Sequence, residues 1–386
     1  NFTFRYFYNY TYIIKVFLIS LYRDKQLRSV NMPYAAETYS INLLSEENVK
    51  KCVLPYYGLQ NSLVTQIKFK NTDKQRAVYR VDYNSKSFCL KKVYFPLDEL
   101  LFVYSAIEWF YRHGINVPRI LPTLDRSRYV NYKDMLFILT PWIDGEKGNY
   151  DIEEHVLNCA ENLGRMHICS KKFIPLQGSS YRTGFNDIYI SSEKHFKQLL
   201  NCSNLAFKYK DKFSKKFLQH FDDNQIMSQI TLSVASTINS NKLSKALCHL
   251  DYVNKNIIFD NNKNIWIIDF DKCKMDYCVH DLCYFMRRLL KRDNTNWDLK
   301  LAIDSINAYE KINPLNLDEY KYILVYLGFP QKYWKISRDY YKNIKKCNKA
   351  SFYKLLSKAV ENDKNQLKFI YSFGKYIENK FNTKLY

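Results

Sequence analysis

Two short apolar runs on either side of a polar turn predict a β-hairpin in the second half of the chain. The runs are Ile257–Phe259 and Ile265–Ile268, and the turn is Asp260–Asn264. Asn and Asp tolerate the left-handed backbone that tight turns require. Apolar runs of this length, bounded by turn residues, are typical of buried strands. The pattern therefore predicts a hairpin with acidic groups at both ends.

Elsewhere the pattern alternates between strand and helix periodicity. Strands are predicted at Ala77–Val81, Ser87–Lys91 and Met135–Leu139. Helices are predicted at Ser45–Leu54, Leu97–Arg112, Ile152–Ile168 and Asp281–Arg292, with two or three more in Phe196–Ser240 and others towards the C-terminus. Apolar residues recur at helical spacing in the later segments. The chain is thus expected to begin with a mixed region and to continue as mostly helix.

Polar residues at the hairpin have the spacing that phosphoryl transfer requires. Asp251 lies five residues before Asn256, and Asp269 follows the second apolar run. A carboxylate that accepts a hydroxyl proton, an amide that binds Mg²⁺ and a second Mg²⁺ carboxylate form the minimum set for this chemistry. The alternative is a hairpin with capping carboxylates. We favour the catalytic interpretation because three polar residues fall at the required spacing within apolar strands.

The motif H-x-D-x-x-x-x-N at His249–Asn256, followed by I-D-F-D at Ile268–Asp271, resembles the catalytic core of aminoglycoside phosphotransferases and choline kinases. More closely, the segments Phe270–Asp276 and Phe329–Trp334 resemble the CotS family of spore coat proteins, which share that fold. The resemblance implies an α+β, two-lobed protein-kinase-like fold. It has a small mixed β-sheet N-lobe and a mostly helical C-lobe.

The resemblance also implies roles for the motif residues. Asp251 and His249 are the candidate catalytic residues, and Asp251 would orient or deprotonate the acceptor hydroxyl. Asn256 and Asp269 would hold Mg²⁺, and Asp271 would support a second metal or the loop. Asp281 matches a family aspartate that buttresses the catalytic loop. One departure is Leu250, because the relatives usually carry glycine there, and its side chain would narrow the space beside Asp251.

For the nucleotide, the resemblance matches Phe88–Lys91 to the strand that carries the ATP lysine. Lys91 would contact phosphate, but Lys92 is an alternative, since a one-residue slip on a strand changes the face. Two lysines exposed at a strand end would explain the pattern equally well. The acid that pairs with the lysine would be Glu99 or Glu108, unless both face solvent. The covering loop, residues 70–75, lacks glycine, which weakens the case for tight ATP binding.

The segment after Met135–Leu139 resembles the hinge between two lobes, where related folds bind adenine. Thr140 and Trp142 are the candidate adenine-contacting residues. We place the boundary there, with an N-lobe over residues 32–139 and a C-lobe over residues 140–386. Residues 1–31 are interpreted as a non-native or disordered extension, because Met32 is a natural start. The apolar stretch at residues 12–22 is shorter than the ~20 residues that span a bilayer, although an interfacial anchor is an alternative.

Composition narrows the choice of partners. The formal charge is +21, but the lysines are spread along the chain without a nucleic-acid motif, so we expect a solvated basic surface that attracts anionic partners. Ten cysteines are dispersed, and buried free thiols are favoured over cross-links or a metal site. The metal alternative would use Cys273, Cys278, Cys283 and His280. In the helix Ile152–Ile168, His167 is interpreted as a core histidine rather than a base.

The resemblance implies a spore coat protein of the CotS family with a kinase-like fold. It would act in coat assembly with other coat proteins, first in the mother-cell cytoplasm and then in the spore coat. ATP and Mg²⁺ would bind if the site is active. The alternative function is an active ATP-dependent phosphotransferase that acts on a small hydroxylated molecule or a coat component. Nucleic-acid binding is not expected, nor is a transmembrane segment.

Overall fold

In the computed structural model of the protein, residues 43–70 and 76–385 are described, and they divide into two units. The first unit takes the described residues up to Lys92 together with Pro122–Ile138. The second takes Val93–Leu121 and the chain from Leu139 onward. The expected extension at residues 1–31, its apolar stretch and residues 71–75 of the glycine-free loop lie outside the described residues.

The first unit is built on a five-stranded sheet with the order β1-β2-β3-β5-β4. Its strands are β1 (Leu63–Lys70), β2 (Arg76–Tyr83), β3 (Lys86–Lys92), β4 (Val130–Tyr132) and β5 (Met135–Pro141). Helix α1 (Glu46–Cys52) precedes the sheet, and the side chain of Ser45 accepts a hydrogen bond from the Asn48 amide at its N-terminus. This cap satisfies one of the amides that a helix start leaves unpaired.

The hairpin of β2 and β3 has one face in the core and one outside it. On β2, Ala77, Tyr79 and Val81 are fully buried, and the residues between them are half-buried. The turn between the strands uses Asn84 and Ser85, which both have positive φ. Two successive residues with positive φ give a turn whose twist matches that of the flanking strands.

The second unit is mostly helical. Its helices are α2 (Leu97–Arg112), α3 (Glu153–Ser170), α4 (Ile188–Tyr209), α5 (Lys212–Gln219), α6 (Phe221–Ala235), α7 (Cys278–Leu290), α8 (Leu299–Glu310), α9 (Leu317–Gly328), α10 (Gln331–Lys342), α11 (Lys349–Ala359) and α12 (Asp363–Phe381). Its strands are β6 (Glu146–Lys147), β7 (Lys245–Cys248), β8 (Ile257–Phe259), β9 (Ile265–Ile267) and β10 (Lys274–Tyr277). They form two small sheets, in which β6, β8 and β9 pair in that order and β7 pairs with β10.

Helix α2 belongs to the second unit. The boundary that the sequence predicts, after residue 139, would instead put this helix in the N-lobe. Its packing gives the reason. The indole nitrogen of Trp109 donates a hydrogen bond to the Cys169 carbonyl, 2.9 Å away at the end of α3. The ring of Phe110 lies 5.6 Å from that of Phe270. Contacts far apart in the sequence therefore hold α2 against the helical unit.

Helix α7 packs its apolar face into the core of the second unit. Leu282, Phe285, Met286, Leu289 and Leu290 are each fully buried, as their helical spacing predicts. None of the helices among residues 43–70 and 76–385 is long and apolar enough to cross a membrane.

Candidate active site

The predicted catalytic segment forms a loop between β7 and β8, which belong to different sheets. Strand β7 ends at Cys248, and a 3₁₀ turn at Asn254–Asn256 leads into β8. Strands β8 and β9 form the predicted antiparallel hairpin, in which Ile258 lies opposite Trp266. Strand β7 pairs instead with β10. Two separate strand pairs thus hold the two ends of the loop.

Asp281 holds the start of this loop from helix α7. Its carboxylate accepts hydrogen bonds from the backbone amides of His249, at 2.7 Å, and Leu250, at 2.9 Å. Asp281 is fully buried, and burial alone would raise its pKa, but hydrogen bonds and the neighbouring His167 keep the pKa below its usual range. A charged carboxylate therefore fixes the loop backbone, which is the buttressing role that the resemblance implies.

Leu250 occupies a backbone conformation that favours glycine. Its φ is 57°, in the left-handed region, and its side chain is 9% exposed. A residue with a Cβ pays about 1–2 kcal/mol for this conformation. The two strand pairs and the Asp281 carboxylate hold the residue in this strained state. The loop consequently keeps a glycine-type backbone although the chain carries leucine there.

Asp251 lies at the centre of the loop and is 5% exposed. Its carboxylate accepts hydrogen bonds from Tyr284, at 3.2 Å, and from the Asn256 amide, at 3.2 Å. The ammonium groups of Lys255 and Lys272 lie 3.2 and 3.3 Å from it. Burial would raise the pKa of Asp251, but these cations outweigh burial and lower it. The carboxylate is therefore ionised at neutral pH and can accept a hydrogen bond from a substrate hydroxyl.

Three of these partners were absent from the sequence analysis. Lys255 lies inside the motif, four residues after Asp251, so the sequence alone could have indicated that it lies near Asp251. Tyr284 lies one helical turn after Asp281, which puts both on one face of α7. Lys272 follows the I-D-F-D segment, and no local pattern marks it. Only the folded chain brings Lys272 to Asp251.

His249 is buried behind Asp251, and both of its ring nitrogens have partners. Nδ1 accepts a hydrogen bond from the Asp251 amide at 3.2 Å, so the proton of the neutral ring lies on Nε2. Nε2 in turn donates to the Ile268 carbonyl at 3.0 Å. Neither nitrogen is left to take a proton from a substrate. This geometry favours a positioning role for His249 over the direct catalytic role that the motif suggested.

The candidate metal ligands Asn256, Asp269 and Asp271 lie on the loop and on the segment after β9, and the Ile268 amide joins the two by donating to the Asn256 carbonyl at 3.0 Å. The Asn256 amide nitrogen donates to the Asp251 carbonyl at 2.9 Å, so its side-chain oxygen is the atom available to ligate. Asp269 has φ 68° and precedes a 3₁₀ turn at Phe270–Lys272. Asp271 lies in that turn and is 7% exposed. Carboxylate and amide oxygens suit Mg²⁺. The donor set therefore fits the ion that the resemblance implies.

In the first unit, the pleat of β3 separates the two candidate lysines. Leu90 is fully buried opposite Tyr79, whereas Cys89 and Lys91 alternate with it on the other face. Lys92 shares the face of Leu90, and burial lowers its pKa. Lys91 thus shares a face with Cys89, as the match to the ATP-lysine strand requires.

Both candidate acids on α2 have arginine partners within the second unit. Glu108 is 7% exposed and forms a two-pronged ion pair with Arg119, at 2.9 and 2.7 Å. Glu99 lies 3.6 Å from Arg182. Glu108 therefore does not face solvent. Its carboxylate already has a partner of opposite charge.

The two hinge candidates lie where the chain passes into the second unit. The first unit ends at Ile138, and Thr140 lies near the end of β5. Trp142 follows the strand directly, and both residues are half-buried. Both residues therefore lie just after the point where the chain leaves the first unit.

His167 lies in the core of the second unit. It is fully buried, and its ring contacts the Tyr309 hydroxyl at 2.7 Å and Asp281 at 3.3 Å. Among groups of three or more His, Cys, Asp or Glu side chains in the described residues, only His167, Cys248 and Asp281 have ligand atoms close enough together for a metal. Asp281 already accepts two backbone amides there. Cys273, Cys278 and Cys283 form no such group in the described part of the chain, and burial raises the pKa of each thiol.

Comparison with known proteins supports this geometry. The profile of the phosphotransferase enzyme family (APH) matches residues 71–315. Spore coat protein S of Bacillus subtilis is 19% identical over 308 residues, which cover 78% of this chain and 86% of that protein. The similarity to spore coat proteins that the sequence indicates is thereby confirmed.

Solved structures confirm the fold class. An aminoglycoside phosphotransferase from Alicyclobacillus acidocaldarius has a TM-score of 0.71 at 18% identity, covering 85% of this chain and 96% of its own. A spectinomycin phosphotransferase in complex with ADP and spectinomycin has a TM-score of 0.60 at 18% identity, covering 85% and 98%. At such identity the likeness concerns the fold alone. With its kinase-like fold and the profile match over most of its length, this chain belongs to the phosphotransferase enzyme family.

Proposed function

We propose that this protein binds ATP with Mg²⁺ and transfers a phosphoryl group to the hydroxyl of an acceptor. The observation that carries the proposal is the state of Asp251. Its carboxylate is buried, charged and held in place by a loop that keeps the required backbone despite Leu250. Backbone strain of this kind clusters at active sites, where the surrounding structure holds it in place.

The residues of the site have different roles in the proposed reaction. Asp251 accepts the hydrogen bond of the acceptor hydroxyl and takes its proton as the hydroxyl oxygen bonds to the γ-phosphorus of ATP, while the bond from that phosphorus to the departing ADP oxygen breaks. The Asn256 side-chain oxygen, with Asp269 and Asp271, would hold Mg²⁺. When bound, the ion neutralises charge on the phosphate oxygens. His249 keeps the loop in place through its two ring hydrogen bonds.

Three residues are proposed for the nucleotide contacts. Lys91 would pair with phosphate, because it shares with Cys89 the face of β3 opposite the core. Thr140 and Trp142 would contact adenine at the start of the second unit. The known ADP complex of the spectinomycin phosphotransferase supports nucleotide binding by this fold.

We further propose that the protein acts in the spore coat. The support is its similarity to spore coat protein S, together with a net charge of +21 that attracts it to anionic assemblies. It would be made in the mother-cell cytoplasm and join the coat with other coat proteins. Assembly and phosphoryl transfer are compatible functions of one chain.

The catalytic proposal is tested by ADP formation from Mg–ATP with the full chain, in the presence of a panel of small hydroxylated acceptors. Asp251→Asn keeps the shape of the side chain but removes the proton acceptor, and we expect turnover to fall by about 10²–10³-fold. Asp293→Asn, at an exposed position, is the matched control and should turn over like the unmodified protein. Turnover that Asp251→Asn leaves unchanged would contradict the proposal, as would a folded protein that forms no ADP.

The coat proposal is tested by the position of a fluorescent fusion of the full chain in sporulating cells. We expect the signal at the spore surface, both for the unmodified chain and for Asp251→Asn. Signal that stays in the mother-cell cytoplasm would contradict a role in the coat. Loss of the surface signal in Asp251→Asn alone would show that assembly depends on activity.

A further inference from the structure

Positive charge surrounds the side chain that would receive the acceptor hydroxyl. Lys255 and Lys272 contact the Asp251 carboxylate and are themselves exposed. On the α7 side, the guanidinium of Arg288 donates to the Tyr284 hydroxyl at 3.2 Å, and that hydroxyl donates to Asp251 at 3.2 Å. Two hydrogen bonds therefore join Arg288 to the catalytic carboxylate.

The positive charge continues beyond Arg288. In the part of the chain that the structure describes, no carboxylate oxygen lies within 4.0 Å of the charged groups of Arg287, Arg288, Lys291 or Lys332. Lys291 is half-buried, and burial together with repulsion from these three neighbours lowers its pKa to about 8. Apart from Asp251, which Arg288 reaches only through Tyr284, no carboxylate offsets this repulsion, and an anionic ligand would relieve it.

One of these cations has a structural role. The guanidinium of Arg287 lies over the ring of Tyr326, 3.8 Å from its centre, and donates a hydrogen bond to the Tyr326 carbonyl. Arg288 and Lys332 are exposed, and Lys291 is half-buried. These three side chains, with Lys255 and Lys272 beside Asp251, are the groups that can bind a ligand. We call Lys255, Lys272, Arg288, Lys291 and Lys332 the basic cluster.

We propose that the acceptor is a hydroxylated anion, whose phosphate or carboxylate group binds the basic cluster while its hydroxyl lies at Asp251. The inference rests on the proposed phosphotransferase function and names its substrate class. A guanidinium fork pairs with two oxygens of either anion. An amine-rich acceptor carries positive charge at neutral pH, so it would be repelled by the same groups.

The test measures binding of charge-matched compounds to the full chain saturated with Mg–AMP-PNP, so that the nucleotide site is already filled. The probes are glucose 6-phosphate, gluconate, glucose and glucosamine, followed by glycerol 3-phosphate, glycerate and glycerol. We expect at least one anion to bind at millimolar concentration and the neutral and aminated compounds to bind at least tenfold more weakly. Comparing phosphates with carboxylates identifies the anionic group.

Substitution then locates the binding. Arg288→Gln should weaken anion binding about tenfold or more, because a hydrogen bond to a charged group is lost. Arg165→Gln is the matched control, since Arg165 is exposed on α3 and pairs with Glu161. The control lowers the net charge equally and should leave anion binding unchanged.

The outcomes separate the inference from the function on which it rests. Failure of Mg–AMP-PNP to bind would contradict the proposed function. If the nucleotide binds, the inference is overturned when no anion binds, when glucosamine binds as tightly as the anions, or when Arg288→Gln and Arg165→Gln behave alike.

Discussion

Because the backbone at Leu250 is left-handed, we predict that glycine there gives a more stable protein than alanine, which is the reverse of the usual order. Leu250→Gly and Leu250→Ala both remove the isobutyl group, so the loss of apolar burial is nearly the same. They differ in the backbone, because a residue with a Cβ at φ 57° is strained by about 1–2 kcal/mol and glycine is not. Alanine is favoured in return by its lower entropy in the unfolded chain. The net expectation is that Leu250→Gly is more stable than Leu250→Ala by about 1 kcal/mol.

A matched pair of variants at Leu247 provides the control. Leu247 is fully buried on β7 and has no positive φ, so the strain is absent there. At such a strand position alanine is favoured over glycine by about 0.5–1 kcal/mol. The order of the two variants should therefore invert between positions 247 and 250.

Urea unfolding of the four variants, followed by circular dichroism, measures the two differences. A higher free energy of unfolding for Leu250→Ala than for Leu250→Gly would refute the reasoning. It would mean that the loop does not keep its left-handed backbone when the leucine is replaced. Asp251-dependent ATP turnover in Leu250→Gly should stay within a few-fold of the unmodified protein, because the amide of residue 250 still donates to Asp281.

Two further predictions concern Asp281 and the cysteines. Asp281→Asn should lower the free energy of unfolding by about 2 kcal/mol or more at pH 7, because one loop amide loses a charged acceptor. The pKa of the Asp281 carboxyl is lowered in the folded state. The stabilisation by this carboxylate is therefore present above the unfolded pKa of about 3.9 and is lost as pH falls through the folded pKa. Urea unfolding at pH 7 and pH 3 should show the difference shrinking, and a constant difference would contradict this assignment. For the thiols, a colorimetric reagent should react in the native protein only with the half-buried cysteines. The buried cysteines should react after unfolding. Fast reaction of all ten cysteines in the native protein would refute the described burial. The half-buried thiols are Cys52, Cys89, Cys169 and Cys347.

Local patterns account for the parts of the fold that the sequence predicts well. The hairpin of β8 and β9, the Ser45 cap and the helix Leu97–Arg112 each depend on periodicity and end signals within a few residues. Helix α4 begins at Ile188, earlier than the predicted Phe196, because Asp187 caps it from a segment that reads as loop. The helix starts with the apolar residues Ile188–Ile190, but the polar run Ser191–His195 separates them from the apolar positions that begin at Phe196.

Tertiary contacts account for what the sequence could not predict. The motif identified Asp251 and Asn256, but Lys272 and Tyr284 reach Asp251 only through the fold. The same holds for α2, whose assignment to the second unit depends on the distant Cys169 and Phe270. Pairing of residues this far apart leaves no periodic signal in a single sequence.

The central claim is an intact site for ATP and Mg²⁺, and calorimetric titration of the full chain tests it most directly. Asp269→Asn is the decisive variant, because asparagine tolerates φ 68° as aspartate does while the metal-binding charge is lost. We predict saturable, Mg²⁺-dependent ATP binding that Asp269→Asn weakens by about tenfold or more and that the exposed control Asp293→Asn leaves unchanged. The absence of binding at millimolar ATP, in a protein shown to be folded, would contradict the account.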